Sequence, residues 1–300
     1  MRISERVRKC VAFACYRDKA DKLRYAGTVF FTHSEVDKEL GKVYIVTVTA
    51  KHVIIDAKRN SIDQKVVLCL NRLNGGSEYI DTDIQDWKFH PDPQYPADVA
   101  ILAWSPSNEF DWQPIPISIA ATDDVVKEEV IGLGNEVFVV GLFRGYWGKK
   151  KIQPVVRVGN IAMLPDEYIP TKEFGDIEAY LIEGRSTGGL SGSPVFVEGF
   201  KVTSKVGTWT TWDTPLYLLG LIHGHYDVKL PAEDGLVEDA VAAEVINQGI
   251  AIVIPAKKVV EAIEQPEMVA MKEAERKKLL ELNLLTENSL SDEDRPPDRF

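Results

Sequence analysis

Cysteine is scarce in this 300-residue chain: there are three, an odd number, and Cys10 and Cys15 fall on opposite faces of any strand that holds both. A disulfide framework is therefore not expected, and the chain reads as a reduced, cytosolic protein. Long apolar runs are missing too, with nothing near the roughly 18 consecutive residues that a membrane helix needs. The opening MRISERVRKCVAFACYRD begins basic, but its apolar stretch is short and cut by two cysteines, which is not a signal-peptide pattern. Cations are in deficit, since 35 Lys and Arg face 46 Asp and Glu, for a formal net charge of −11. Sequence-independent nucleic-acid binding rests on cations neutralising phosphates, so neither a nucleic acid nor a membrane is an expected partner. No Gly-Lys-Ser/Thr follows the glycine-rich stretch, which excludes a phosphate loop, and no metal or cofactor is expected.

What the chain has instead is a series of short β-branched and aromatic runs, separated by Gly, Pro, Asn and Asp up to about Pro255. CVAFACY, AGTVFFT, KVYIVTVTA, KVVLCL, ADVAILAW, NEVFVVGLF, PVVRVGNIAM, EAYLIEG, GSPVFV, LYLLGLIHGH and GIAIVIP are the clearest. So many strands make an all-β core. The proline-bearing stretch Ser105 to Asp124 divides them into two groups, read as two β-barrels over residues 1–118 and 119–255. AEDGLVEDAVAAEVINQ is an acidic excursion with helical periodicity between two late strands. After Pro255 the pattern turns helical, with Val259, Val260 and Ile263 on one face and Pro266 opening a second helix, so residues 256–285 form a C-terminal helical segment. Residues 286–300 are acidic with little to bury, and disorder is expected there.

The stretch STGGLSGSPVF places glycines on both sides of Ser191. A serine hydroxyl is a weak nucleophile until a base takes its proton and positioned donors meet the oxyanion. Glycines allow successive N–H groups to point into one concavity, so Gly189 and Ser191 are the candidate oxyanion donors. The same letters also fit a plain hairpin turn. The α/β-hydrolase elbow fails, because Ser193 stands where its last glycine belongs. Five histidines are available as a base, and His52, just past a strong β run, is the best placed. Asp98, a lone acid at the mouth of the apolar strand DVAIL, is the candidate orienter of that imidazole. The order His, Asp, Ser is that of the chymotrypsin arrangement and differs from the subtilisin and α/β-hydrolase orders.

With these residues in hand a resemblance emerges. TAKHV, DVAIL and GGLSGSPVF resemble the histidine, aspartate and serine signatures of trypsin-like serine peptidases, the last most like those of glutamyl endopeptidases and bacterial Deg-type peptidases. GTVFFT, GNEVFVVGLF and GIAIVIPAKKV resemble further strands of that family, so the likeness runs from about Ala12 to Ile263. It implies two six-stranded antiparallel β-barrels of the chymotrypsin type, with His52 as base, Asp98 as orienter, Ser191 as nucleophile, and Gly189 with Ser191 as oxyanion hole. Leu190 departs from the pancreatic-type aspartate, so activation by a freed N-terminus is not implied, and no PDZ domain is expected after the second barrel.

The resemblance also implies a substrate pocket. Arg185 and Ser186, leading to the nucleophile, and His223, which resembles the histidine of glutamyl endopeptidases, would favour an acidic residue before the cut. The expected function is a serine endopeptidase acting on polypeptides, restrained by narrow specificity or by a regulatory protein partner. A catalytically inactive protease-like binding module, or an esterase or acyltransferase on the same triad, remains the alternative.

Overall fold

The computed structural model describes residues 5–37, 41–143, 145–146, 148–171, 173–184, 189–199, 215–229 and 245–293. The first half contributes β1 (Val11–Arg17), β2 (Leu23–Asp37), β3 (Lys42–Thr49), β4 (Lys65–Asn71), β5 (Ser77–Asp83), β6 (Lys88–Phe89), β7 (Ala100–Leu102) and β8 (Ile115–Pro116). They form one sheet in the order β5-β4-β1-β2-β3-β7-β6, with β8 lying parallel to β2. The second half contributes β9 (Glu136–Gly141), β10 (Val155–Met163), β11 (Tyr168–Thr171), β12 (Gly175–Glu178), β13 (Tyr180–Glu183), β14 (Pro194–Glu198), β15 (Leu216–Lys229) and β16 (Val245–Pro255). Six of these close into a barrel, β10-β13-β16-β15-β14-β9, and β11 and β12 form a separate hairpin. The protein is thus mainly β, as its runs of β-branched residues imply.

Pattern follows burial closely. In β1 every residue from Val11 to Cys15 is buried, because the strand is covered on both faces. Ala12 and Ala14 face the first-half core, whereas Phe13 and Cys15 join Val67 and Cys69 in a layer against Leu142 and Ile152 of the second half. In the closed barrel the inward set includes Val137, Val139, Val195, Val197 and Leu219, the alternation expected of strands with one core face. Between them, outward-facing Phe138 and Phe196 stack with ring centroids 5.0 Å apart, so these strands are also covered on both sides. The chain passes from one half to the other between Pro116, paired with β2, and Ala120, which bridges to Leu218 of β15.

Among the described residues four α-helices accompany the sheets: α1 (Lys51–Asn60), α2 (Asp123–Glu128), α3 (Ala256–Ile263) and α4 (Pro266–Glu293). In α3 the buried face is Ala256, Val259, Ala262 and Ile263, with Val260 at its margin. The helix joins both halves, since Glu261 pairs with buried His90 at 2.8 Å and Lys257 pairs with Glu178. The second helix continues past Leu285 to Glu293, and residues 294–300 of the acidic tail lie outside the described residues. So does most of the acidic excursion, residues 230–244. Among the described residues no helix is long and apolar enough to cross a membrane.

The layer around Phe13 is where the halves meet, so its loss should be felt by the whole fold. Phe13→Ala is expected to cost about 3–5 kcal/mol in urea unfolding. A loss below about 1 kcal/mol would mean the halves do not rest on this ring.

Candidate active site

The site begins with strand register. Thr49 of β3 pairs with Ala100 of β7, so the chains leaving this pair set position 98 opposite position 51. At that point β3 has ended and α1 begins, with Ala50 before it supplying no side-chain cap. The first-turn N–H groups of a helix have no partner within it. Asp98 fills the gap: its Oδ1 accepts the His52 backbone N–H at 2.8 Å, and its Oδ2 lies 2.6 Å from His52 Nδ1. One carboxylate therefore caps a helix, complements its positive end and fixes an imidazole. His52 lies just past β3, as the second residue of this helix, held down by buried Val53, Ile54 and Ala57.

Ser191 lies in the tight connection leading to β14. Gly189 and Gly192 on either side have φ of +105° and +81°, the region that only glycine enters freely. Ser193 N–H returns to Leu190 C=O at 2.8 Å, closing the turn. A methyl group at Gly192 would fall against Thr49 Oγ1 and the Thr28 carbonyl, so the turn is packed directly on the first half. Thr28, fully buried, does the tying. Its N–H donates to Ser191 C=O at 2.9 Å, its hydroxyl donates to Gly189 C=O at 3.1 Å and accepts from Leu142 N–H at 2.8 Å, and its carbonyl accepts from Thr49 at 2.7 Å. Among the described residues the N–H groups of Gly189 and Ser191 make no backbone hydrogen bond.

His223 is the residue that joins these pieces. Ile222 before it exchanges hydrogen bonds with Gly192 and Ser193 at 2.8 and 2.9 Å, which runs β15 beside the serine turn. His223 C=O then receives a long bond, 3.4 Å, from Ser191 Oγ, while its Nδ1 lies 2.5 Å from Asp98 Oδ2. Among the described residues His52 and Ser191 share no direct hydrogen bond; both are neighbours of His223, whose ring centroid is 5.5 Å from that of His52. Phe174, at the tip between β11 and β12, packs edge-on against His223, and Lys51 Nζ sits 5.8 Å from the centre of the Phe174 ring. Of the expected pocket residues, Arg185 and Ser186 lie outside the described residues. With Nδ1 on Asp98, His223 keeps only Nε2 for a substrate.

Burial opposes ionisation of Asp98, but the facing imidazoles and their hydrogen bonds prevail and hold its carboxyl well below the usual range. For His52 burial disfavours the charged ring, yet the Asp98 charge and hydrogen bond, with smaller help from Asp56 and Glu173, raise it above its usual value of 6.5. The result is a stronger base. The thiols are not rival nucleophiles: burial pushes Cys10 up to about 12 and Cys69 up to about 11. His52, Asp98 and His223 also form a cluster whose ligand atoms lie within 4.8 Å of one another. Their spacing suits protons better than a metal ion, which with tetrahedral ligands at about 2.0–2.1 Å would hold nitrogen and oxygen about 3.3 Å apart, well beyond the 2.5 and 2.6 Å found here.

Sequence reasoning picked out His52, Asp98 and Ser191, but missed Thr28, Phe174 and Lys51. A buried threonine inside an apolar strand was the available signal for Thr28.

No protein-family model matches the chain, and no curated protein does. Among solved structures it is similar to the crystal structure of Deg5, at 16% identity and a TM-score of 0.47, covering 85% of this chain and 88% of that one. It is also similar to the MamO protease domain from Magnetospirillum magneticum, at 12% identity and a TM-score of 0.47, covering 86% of this chain and 97% of that one.

Proposed function

We propose that the chain is a serine endopeptidase with Ser191 as nucleophile, His52 as general base and Asp98 as its orienter. The observation that carries this reading is the grip of one buried carboxylate on both the backbone and the ring of His52, beside a serine turn whose Gly189 and Ser191 N–H groups make no backbone hydrogen bond among the described residues. Such a carboxylate fixes the Nδ1–H tautomer, leaving Nε2 as the lone pair that accepts the serine proton. Ser191 Oγ would attack the scissile carbonyl as His52 takes its proton, and the oxyanion would be met by the N–H groups of Gly189 and Ser191. His52 then gives that proton to the leaving amine. Water, deprotonated by the same ring, attacks the acyl ester and frees the second product, restoring the Ser191 hydroxyl.

One observation favours a second reading. Ser191 Oγ donates to the His223 carbonyl rather than to His52, as expected if the scaffold binds a partner without cutting it. Resting hydroxyls in active enzymes are often turned away from their base as well, so geometry at rest leaves the peptidase reading ahead. An acid preference at the cut rests on Arg185 and Ser186, since Asp98 occupies the inner nitrogen of His223.

A fluorophosphonate probe separates these readings, because it needs only an activated hydroxyl. Labelling of the wild type at Ser191 is expected, with none in Ser191→Ala and a rate about 10²–10⁴-fold lower in His52→Ala. An unlabelled wild type would end the peptidase proposal. Neutral His52 is the active form, so the labelling rate should rise with pH through its titration, with a midpoint above 6.5. Asp98→Asn removes the charge that lifts this midpoint, and the residual rate should titrate at lower pH. A midpoint unmoved by that change would mean Asp98 does not act on the base.

A further inference from the structure

His223 stands where the pairing of β15 and β16 slips: Ile222 faces Val253 and Gly224 faces Ile252, which leaves His223 as the extra residue of a bulge. Bulges release one residue from the ladder and re-aim its side chain. This one is aimed across the junction of the two halves. Its Nδ1 lies 2.5 Å from Asp98 Oδ2, the same oxygen that His52 Nδ1 approaches at 2.6 Å. An ionised carboxylate can only accept, so each neutral ring donates from Nδ1 and carries its lone pair on Nε2.

We propose that His223 is a second imidazole of the site: a positioning residue that shares Asp98 Oδ2 with His52 and fixes the carboxylate from the second half. The effect on rate rests on the peptidase reading, whereas the sharing of Asp98 stands on the hydrogen-bond geometry alone.

The role follows from the contacts. Asp98 belongs to the first half and Ser191 to the second, and His223 touches both, by its ring and by its carbonyl. The distance from base to nucleophile is therefore referred through one residue. That residue is itself fixed: Ile222 before it is tied to Gly192 and Ser193 of the serine turn, Phe174 packs edge-on against its ring, and from β16 apolar Val253 and Ile252 face the bulge.

Two measurements on the full chain test this. With ¹⁵N-labelled histidine, the wild type should show two low-field protons attached to Nδ1, of which His223→Asn removes one. A wild type with a single such proton, or two that both survive the substitution, would overturn the sharing, and the wild-type count needs no variant to fold. The second measurement is the rate of fluorophosphonate labelling. Asparagine keeps a donor near the Nδ1 position, so His223→Asn should label within about threefold of the wild type, whereas His223→Phe keeps the ring without the donor and should label about tenfold more slowly. A merely space-filling role predicts that the phenylalanine variant labels as fast as the asparagine variant, and that result would overturn the positioning role. A wild type that is not labelled at any pH would defeat the peptidase reading and the rate effect with it, while the two proton resonances would still decide whether Asp98 is shared.

Discussion

An ionised carboxylate with no exposure to solvent, at Asp98, is the constraint to which the rest of the site answers. A buried charge without partners costs several kcal/mol, so the fold must bring donors to it. Three arrive: the backbone N–H of His52, the ring of His52 and the ring of His223. Each belongs to a different structural decision, namely where α1 starts, how its second side chain turns, and where β15 loses register. Moving any of these away would strand the charge. The carboxylate is thus a structural fastener and an electrostatic device in one group, and its two oxygens divide that labour between helix and imidazoles.

Threonine plays the corresponding part for the serine turn. Thr28, Thr32, Thr47 and Thr49 are fully buried in strands otherwise dominated by apolar residues. A threonine occupies nearly the space of a valine while carrying a hydroxyl, so a strand can keep its packing and still tie a neighbouring loop. Thr28 and Thr49 do so in series, the second bonding to the carbonyl of the first, and the first bonding to both Gly189 and Ser191. Polar contacts at this depth gain strength from the surrounding low dielectric.

The sequence was informative where one segment carries its own signal. β1, β14 and the Ala251–Pro255 end of β16 are continuous buried runs, and each is plain in the letters. β5 is not: Ser77–Asp83 is an edge strand with mostly exposed residues, so nothing in SEYIDTD marks it. β6 and β8 are two residues long and exist only through their partners. In the site, His52 and Asp98 were legible because each borders a strong strand. The helix that begins at Lys51 was not legible, since KHVIIDAKRN has branched residues that fit either structure. The placement of His223 was not legible, because a bulge is a slip between β15 and β16, strands separated by residues 230–244, and no local pattern reports it.

The fastening of Ser191 by Thr28 has a consequence for how such a protein comes into being. The loop bearing the hydroxyl is encoded in the later part of the gene, but the groups that bend it into shape are translated first, more than 160 residues earlier. A chain caught half-made, or clipped between its halves so that they drift apart, would carry the serine in a loop with no template. The turn would then reach its bent form only at docking, so the order of assembly itself decides when the serine is set in place.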